Sequence, residues 1–96
     1  MAIFNKVTAT QFKGQKYVSI PDDVTEIGDE VFRDFSDLTS VTIPNSVTKI
    51  GMGAFANCSS LVSIVIPNQV TEIGSYVFKG CSSLTSIDIP NSVKEI

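Results

Sequence analysis

The stretch IPNSVTKIGMGAFANCSSLVSIV at residues 43–65 is followed directly by IPNQVTEIGSYVFKGCSSLTSID at residues 66–88, and the two share most of their apolar, glycine and serine positions. The preceding stretch, residues 20–42, begins with the same Ile-Pro pair, and so does the fragment that starts at Ile89. Successive Ile-Pro pairs are separated by 23 residues without insertion. A strict repeat of this length is typical of a solenoid, in which each copy forms one coil that packs on its neighbours.

The inward-facing side chains are identified by positions that stay apolar in every full copy. A single coil would leave them partly in water, whereas stacking removes them from water at about 25 cal/mol per Å² of apolar area. Eight positions meet this criterion, and in the third copy they are Ile66, Val70, Ile73, Val77, Phe78, Cys81, Leu84 and Ile87.

Each copy is predicted to contain two short strands and one helical turn. The residues from Leu61 to Ile66 alternate and are rich in β-branched side chains, which favours a strand that Pro67 ends. Residues 70–73 predict a second short strand. The five residues AFANC, which begin at Ala54, have the spacing of one helical turn. The predicted fold is therefore a solenoid of parallel strands, mainly β with minor helix.

One glycine follows the second strand at the same position in every copy. We expect this glycine to occupy a turn with positive φ, where a residue without Cβ is favoured. The residues concerned are Gly28, Gly51 and Gly74.

Two domain regions are expected. Residues 20–96 form three full repeats and a partial fourth, and residues 1–19 form an N-terminal cap, either a degenerate half-coil or a short hairpin. Residues 1–19 contain three lysines and no acids, whereas residues 20–42 contain seven acids and one arginine, so opposite charges favour docking of the cap. The apolar cover would come from Ile3, Phe4, Val7, Phe12 and Val18.

The C-terminal residues Ile89, Val93 and Ile96 continue three core positions, and nothing polar follows them. Solenoids normally need a polar terminal cap, and an open strand edge is a template for pairing. We therefore hypothesise self-association through these residues, which gives a homo-oligomer. The alternative is a piece cut from a longer array, with a frayed tail.

Composition excludes several classes of function. The 96 residues include 7 Lys and Arg against 10 Asp and Glu, a net charge of −3, which argues against nucleic-acid binding because affinity for phosphate depends on a basic surface. The absence of His excludes a His base and His-ligated metal within this chain. We predict no enzymatic activity, no cofactor and no metal.

The sequence also predicts no insertion into a membrane, since no apolar stretch approaches the ~20 residues that a spanning helix needs. Residues 1–19 contain no apolar run long enough for a signal peptide.

Cys58 and Cys81 share one repeat position. They could form a disulfide or a two-thiolate metal site, or they could be small buried apolar residues on adjacent coils. Phe35 occupies the same position in the first copy, which favours burial.

Positions that vary between copies, or that face outward on the strands, are the candidates for binding a partner. They include the two positions after the repeated glycine and the two after the repeated Phe. The candidate partner-binding residues are Tyr17, Thr42, Met52, Val62, Val65, Tyr76 and Asp88.

The repeat LxxIxIPxxVxxIGxxAFxxC resembles the BspA-like (Treponema-type) leucine-rich repeat. The resemblance covers residues 20–96 and implies a right-handed leucine-rich-repeat solenoid with a concave sheet. Family members are commonly secreted or cell-surface proteins associated with adhesion, so the resemblance implies an extracellular or cell-surface location. The matching residues are Leu61, Ile64, Ile66, Pro67, Val70, Ile73, Gly74, Phe78 and Cys81.

The function expected from this resemblance is a non-catalytic repeat module that binds a protein or a glycoconjugate by extended surface contact. The alternative is a structural or engineered repeat scaffold that self-associates through its C-terminal end.

Overall fold

The computed structural model describes residues 2–4 and 12–88. The strands in this part of the chain are all paired in parallel and form two four-stranded sheets. The first sheet has the order β1-β3-β5-β7 and the second sheet has the order β2-β4-β6-β8. The strands are β1 (Ala2–Phe4), β2 (Tyr17–Ser19), β3 (Val24–Ile27), β4 (Ser40–Thr42), β5 (Lys49–Ile50), β6 (Ser63–Val65), β7 (Glu72–Ile73) and β8 (Ser86–Asp88).

The register pairs each residue with its equivalent in the next copy. In the first sheet Ile50 lies opposite Ile73, and in the second sheet Ile64 lies opposite Ile87. Parallel pairing of equivalent residues follows from the constant repeat length, because every coil places the same position one strand further along. The predicted repeat solenoid is confirmed.

The core lies between the two sheets and consists of the predicted inward positions. Phe55 is fully buried and its ring stacks on Phe32 at 5.2 Å and on Phe78 at 6.1 Å between centroids, with interplanar angles of 5° and 8°. Phe78 is only partly buried. A continuous stack of equivalent rings therefore runs through the three coils.

The segment after the second strand of each coil is built from turns, and no α-helix forms within residues 12–88. Glu30 and Asp34 have φ of 58° and 66°, in the left-handed region, which interrupts a right-handed helix. The N–H of Phe32 donates to the carbonyl of Ala54 in the next coil at 2.7 Å. The predicted helical turn is thus replaced by turns whose N–H groups bond between coils.

The prediction of positive φ at Gly28, Gly51 and Gly74 is wrong. The described glycines with positive φ are Gly14, Gly53 and Gly80. A Cβ at Gly51 would lie 2.7 Å from the backbone N of Asp29, and one at Gly74 would lie 2.5 Å from the backbone N of Met52. Glycine is needed there because two coils approach closely, and backbone conformation is not the reason.

The first two strands belong to different sheets, with β1 beside β3 and β2 beside β4. Val18 is buried, and Phe12 packs against the core. The Lys16 carbonyl accepts hydrogen bonds from the N–H of Thr39 at 2.8 Å and from its hydroxyl at 2.9 Å. These contacts support our proposal that residues 1–19 cap the first repeat. The side chains of Ile3, Phe4 and Val7 lie outside the described residues.

Truncating the central ring of the stack should be more harmful than truncating the outer one. Phe55→Ala removes contacts on both ring faces and is expected to lower the free energy of unfolding by about 3–5 kcal/mol. Phe78→Ala should cost clearly less, because Phe78 is partly exposed. Urea unfolding followed by circular dichroism measures both values, and equal losses would contradict a stack centred on Phe55.

Two glycines of one coil provide a matched test of close stacking. Gly51→Ala pushes a Cβ into the backbone of the coil below and should cost about 3 kcal/mol or more. Gly53→Ala meets no atom closer than 3.5 Å and should cost about 1–2 kcal/mol, because alanine disfavours the left-handed backbone. Thermal and urea unfolding of the two variants should give this order, and the reverse order would contradict the packing argument.

Candidate binding surfaces

The residues predicted to bind a partner lie on two separate surfaces. The outer side of the second sheet carries Tyr17, Val65 and Thr42, whose side chains are exposed. Asp88 belongs to this sheet by its backbone in β8, opposite Val65. Val62 is exposed one residue before β6. We name this set of five residues the sheet face.

The sheet face combines exposed apolar side chains with short hydroxyl side chains. Tyr17 and Val65 are 72% and 69% exposed, although most valines within residues 12–88 are buried. The outward residues beside them on β4 and β6 include Ser40 and Ser63, which pair with each other. A shallow depression of about 310 Å³ crosses the two strands, lined in part by Thr42 and Val65. Strands β4 and β6 contain no charged residue.

Met52 and Tyr76 lie elsewhere, in a groove on the turn segments. This groove has a volume of about 240 Å³ and crosses all three full coils. We name it the turn groove. Its lining residues are Glu30, Arg33, Met52, Gly53, Ala56, Asn57, Tyr76 and Lys79.

The turn groove has charged walls and an apolar floor. At the end of the groove formed by the first coil, the Arg33 guanidinium donates to the Glu30 carboxylate at 2.7 Å. The Lys79 amine lies 5.2 Å from the centroid of the Tyr76 ring on its third-coil side. The sequence marked these positions as variable, but their meeting in one groove depends on the turn geometry and was not predicted.

The outward row of the first sheet is a row of charges. Lys49 lies between Glu26 and Glu72 in register, and its amine is 3.8 Å from the Glu72 carboxylate. An exposed pair of this kind contributes about 0.2–1 kcal/mol. The position of Lys49 is therefore explained by its charge, which lies between the glutamates of the two neighbouring strands.

The two cysteines are free thiols on adjacent coils. The Cys58 thiol is buried and donates to the Phe32 carbonyl at 3.1 Å, and the Cys81 thiol donates to the Phe55 carbonyl at 3.1 Å. Burial raises the pKa of Cys58 to about 12, and the neighbouring Cys81 adds to the shift. Burial also raises the pKa of Cys81. Both thiols therefore stay protonated at neutral pH, a state that suits packing and disfavours nucleophilic or thiolate chemistry.

The described residues hold no group of three or more His, Cys, Asp or Glu side chains that could bind a metal ion. In the same part of the chain no helix has the length and apolar character to cross a bilayer. The residues predicted to mediate self-association, Ile89, Val93 and Ile96, lie outside the described residues, so that hypothesis stays a prediction.

Comparison with known proteins defines the class to which this architecture belongs. Residues 5–96 match the family model described as "BspA type Leucine rich repeat region (6 copies)". The chain belongs to the family of BspA-type leucine-rich-repeat proteins. A search of curated proteins gave no significant match.

Solved structures of this class are similar to the chain. A leucine-rich repeat protein from Bacteroides ovatus is 32% identical with a TM-score of 0.74, over 83% of this chain and 26% of that one. The leucine-rich repeat protein of T. pallidum is 30% identical with a TM-score of 0.77, over 84% and 51%. A leucine-rich cell surface protein from Faecalibacterium prausnitzii is 40% identical with a TM-score of 0.73, over 84% and 25%. The chain thus spans a quarter to a half of these relatives.

Chemical modification can test the contrast between the two thiols. Iodoacetamide at pH 8 should label Cys81 faster than Cys58, because Cys58 is fully buried and its pKa is raised to about 12. Labelling of Cys58 should stay slow as the pH rises through 9, the range in which an ordinary thiol ionises. Peptide mapping by mass spectrometry measures both rates. In urea the two rates should become equal, and equal rates in the native protein would contradict burial of Cys58.

Proposed function

We propose that this chain is a non-catalytic module that binds another protein through the sheet face. The observation that carries the proposal is the exposure of Tyr17 and Val65 on one parallel sheet whose strands β2, β4 and β6 contain no charged residue. Leucine-rich repeats commonly mediate protein binding, which agrees with membership of the family. Aromatic residues on a rigid surface are effective anchors at protein interfaces.

The fold gives no reason for an apolar residue at Val65. The equivalent positions in the other copies are Ser19, Thr42 and Asp88, so polar residues are compatible with this row. Val65 nevertheless leaves 69% of its surface in water. Contact with a partner would remove this area from water and stabilise the complex.

Recognition through the sheet face depends on side chains. The backbone groups of β4 and β6 that lie in the sheet pair with neighbouring strands on both sides. A partner strand therefore cannot be added in the middle of the sheet, and the partner has to contact Tyr17, Val65 and the hydroxyl groups between them. Several such contacts on a rigid surface give specificity.

The family to which the chain belongs and the state of its two thiols both support a non-catalytic function. The family of leucine-rich repeats is generally non-catalytic. Within residues 12–88 the thiols have raised pKa values and donate to backbone carbonyls. A cell-surface location is supported by the F. prausnitzii relative, which is described as a cell surface protein.

The sheet face can be tested with variants that preserve the fold. Protein ligands are captured from a cell-surface extract on the immobilised chain, and the affinity of a purified ligand is then measured. Tyr17→Ala and Val65→Asp should each weaken binding about tenfold, as loss of an interface anchor does. Gln69→Asp is the matched control, because it adds the same charge at an exposed residue outside both the sheet face and the turn groove.

Three results would count against this proposal. Unchanged affinity in Val65→Asp is one, and an equal loss in Gln69→Asp is another. The third comes from light scattering: the parent chain has the mass of two or more copies, and Val93→Asp has the mass of one. That result would favour the self-associating scaffold. Circular dichroism of every variant has to match the parent chain.

A further inference from the structure

Tyr76 occupies a strained backbone position without an evident role in the fold. Its φ is 62°, in the left-handed region, and its side chain is 67% exposed. The equivalent residue of the preceding coil is Gly53, with φ of 64°. Glycine meets the backbone requirement there at no steric cost, whereas a tyrosine is strained. Neither the backbone nor the core explains the aromatic ring, so the ring is available for a ligand.

The side chains that line the groove with Tyr76 include two cations, Arg33 and Lys79. Within residues 12–88 the ion pairs join Arg33 to Glu30 and Lys49 to Glu72, and Lys79 belongs to neither. The Lys79 amine is held beside the Tyr76 ring instead. The Glu30 carboxylate already accepts from Arg33 at 2.7 Å. The turn groove therefore offers the positive charge of Lys79 to a ligand, which fits a carboxylate.

The floor of the groove is apolar, and its backbone is engaged between coils. Ala56 is buried and Met52 is 46% exposed. The N–H of Gly53 donates to the Ser75 carbonyl at 2.8 Å, and that of Asn57 donates to the Lys79 carbonyl at 2.6 Å. Side chains are thus the groups that the groove presents at its surface, with Met52 apolar and Lys79 basic.

We propose that the turn groove binds an acidic peptide segment of another protein. A carboxylate side chain of the segment contacts Lys79, and a neighbouring apolar side chain packs between Tyr76 and Met52. The groove crosses all three full coils, a shape that suits an extended segment. This site is independent of the sheet face and uses a different part of the surface.

The probe is the acetylated and amidated hexapeptide Leu-Glu-Phe-Glu-Leu-Glu, added to the ¹⁵N-labelled chain. Amide shifts should change at Met52, Tyr76 and Lys79, and the peptide with Gln in place of every Glu should bind at least about fivefold more weakly. Lys79→Gln should weaken the acidic peptide about fivefold. Lys49→Gln is the matched control, because it removes the same charge from the first sheet and should leave the affinity within about twofold.

Tyr76→Gly separates binding from folding. This variant should be at least as stable to urea as the parent chain, because glycine relieves the strained φ, and it should still lose affinity for the peptide. Unaltered affinity in Tyr76→Gly would overturn the proposal, as would equal binding of the Gln peptide or equal losses in the two lysine variants.

The remaining outcomes identify other occupants and also overturn the proposal. Shifts centred on Tyr17 and Val65 would assign the peptide to the sheet face. Sodium glucuronate that gives the same shifts at the same concentration would point to an acidic sugar. Without added peptide, the parent chain could have the mass of more than one copy in solution while Lys79→Gln has the mass of one. That outcome would mean that a second copy fills the groove.

Discussion

Backbone hydrogen bonds between successive coils are the interaction on which this structure depends. They run through both sheets and continue beyond them, as in the bond from the N–H of Gly51 to the Ile27 carbonyl at 2.8 Å and that from Phe55 to Val77 at 3.1 Å. Because these bonds recur in the strands and in the turn segments, they fix both the spacing and the register of the coils. A strand spacing of about 4.8 Å leaves little freedom in what a repeat position can hold.

Close spacing explains the residues that do not vary. The rings of Phe32 and Phe55 are nearly parallel because they occupy the same rotational position on adjacent coils. Glycine at Gly51 and Gly74 avoids a collision with the backbone of the coil below. Thr48 uses the same spacing differently, since its hydroxyl donates to the Thr25 carbonyl at 3.3 Å. The residues that recur at the same position in every copy are therefore those that fit between closely spaced coils.

The sequence predicted the features that depend on period and failed on those that depend on local backbone geometry. The parallel strands and the inward positions follow from the spacing of the Ile-Pro pairs, and the structure confirms them. The helical turn was mispredicted because the apolar spacing of AFANC, from Ala54, fits a helix and the series of turns equally well. The left-handed residues Glu30 and Asp34 gave no signal, because neither is glycine.

The candidate sites show the same division. Outward positions on the strands could be assigned to the sheet face from alternation alone, so Tyr17 and Val65 were identified together. The turn groove could not be assembled from the sequence, because Met52 and Tyr76 meet Lys79 only through the path of the turns. In the sequence each of these residues is only a variable position outside the core, and nothing there indicates that they share one groove.

A solenoid of this kind separates stability from recognition in a simple way. Core residues such as Phe55 and Ile50 are determined by the stacking of coils, and equivalent apolar residues recur in every coil. Outward residues are released from that constraint, yet stacking still places equivalent ones in a row about 4.8 Å apart. An exception in such a row, as Val65 is among hydroxyl and acidic residues or Tyr76 is at the position of Gly53, is therefore not explained by the stacking of coils. Exposed exceptions of this type are the positions at which contact with another molecule explains the residue better than packing does.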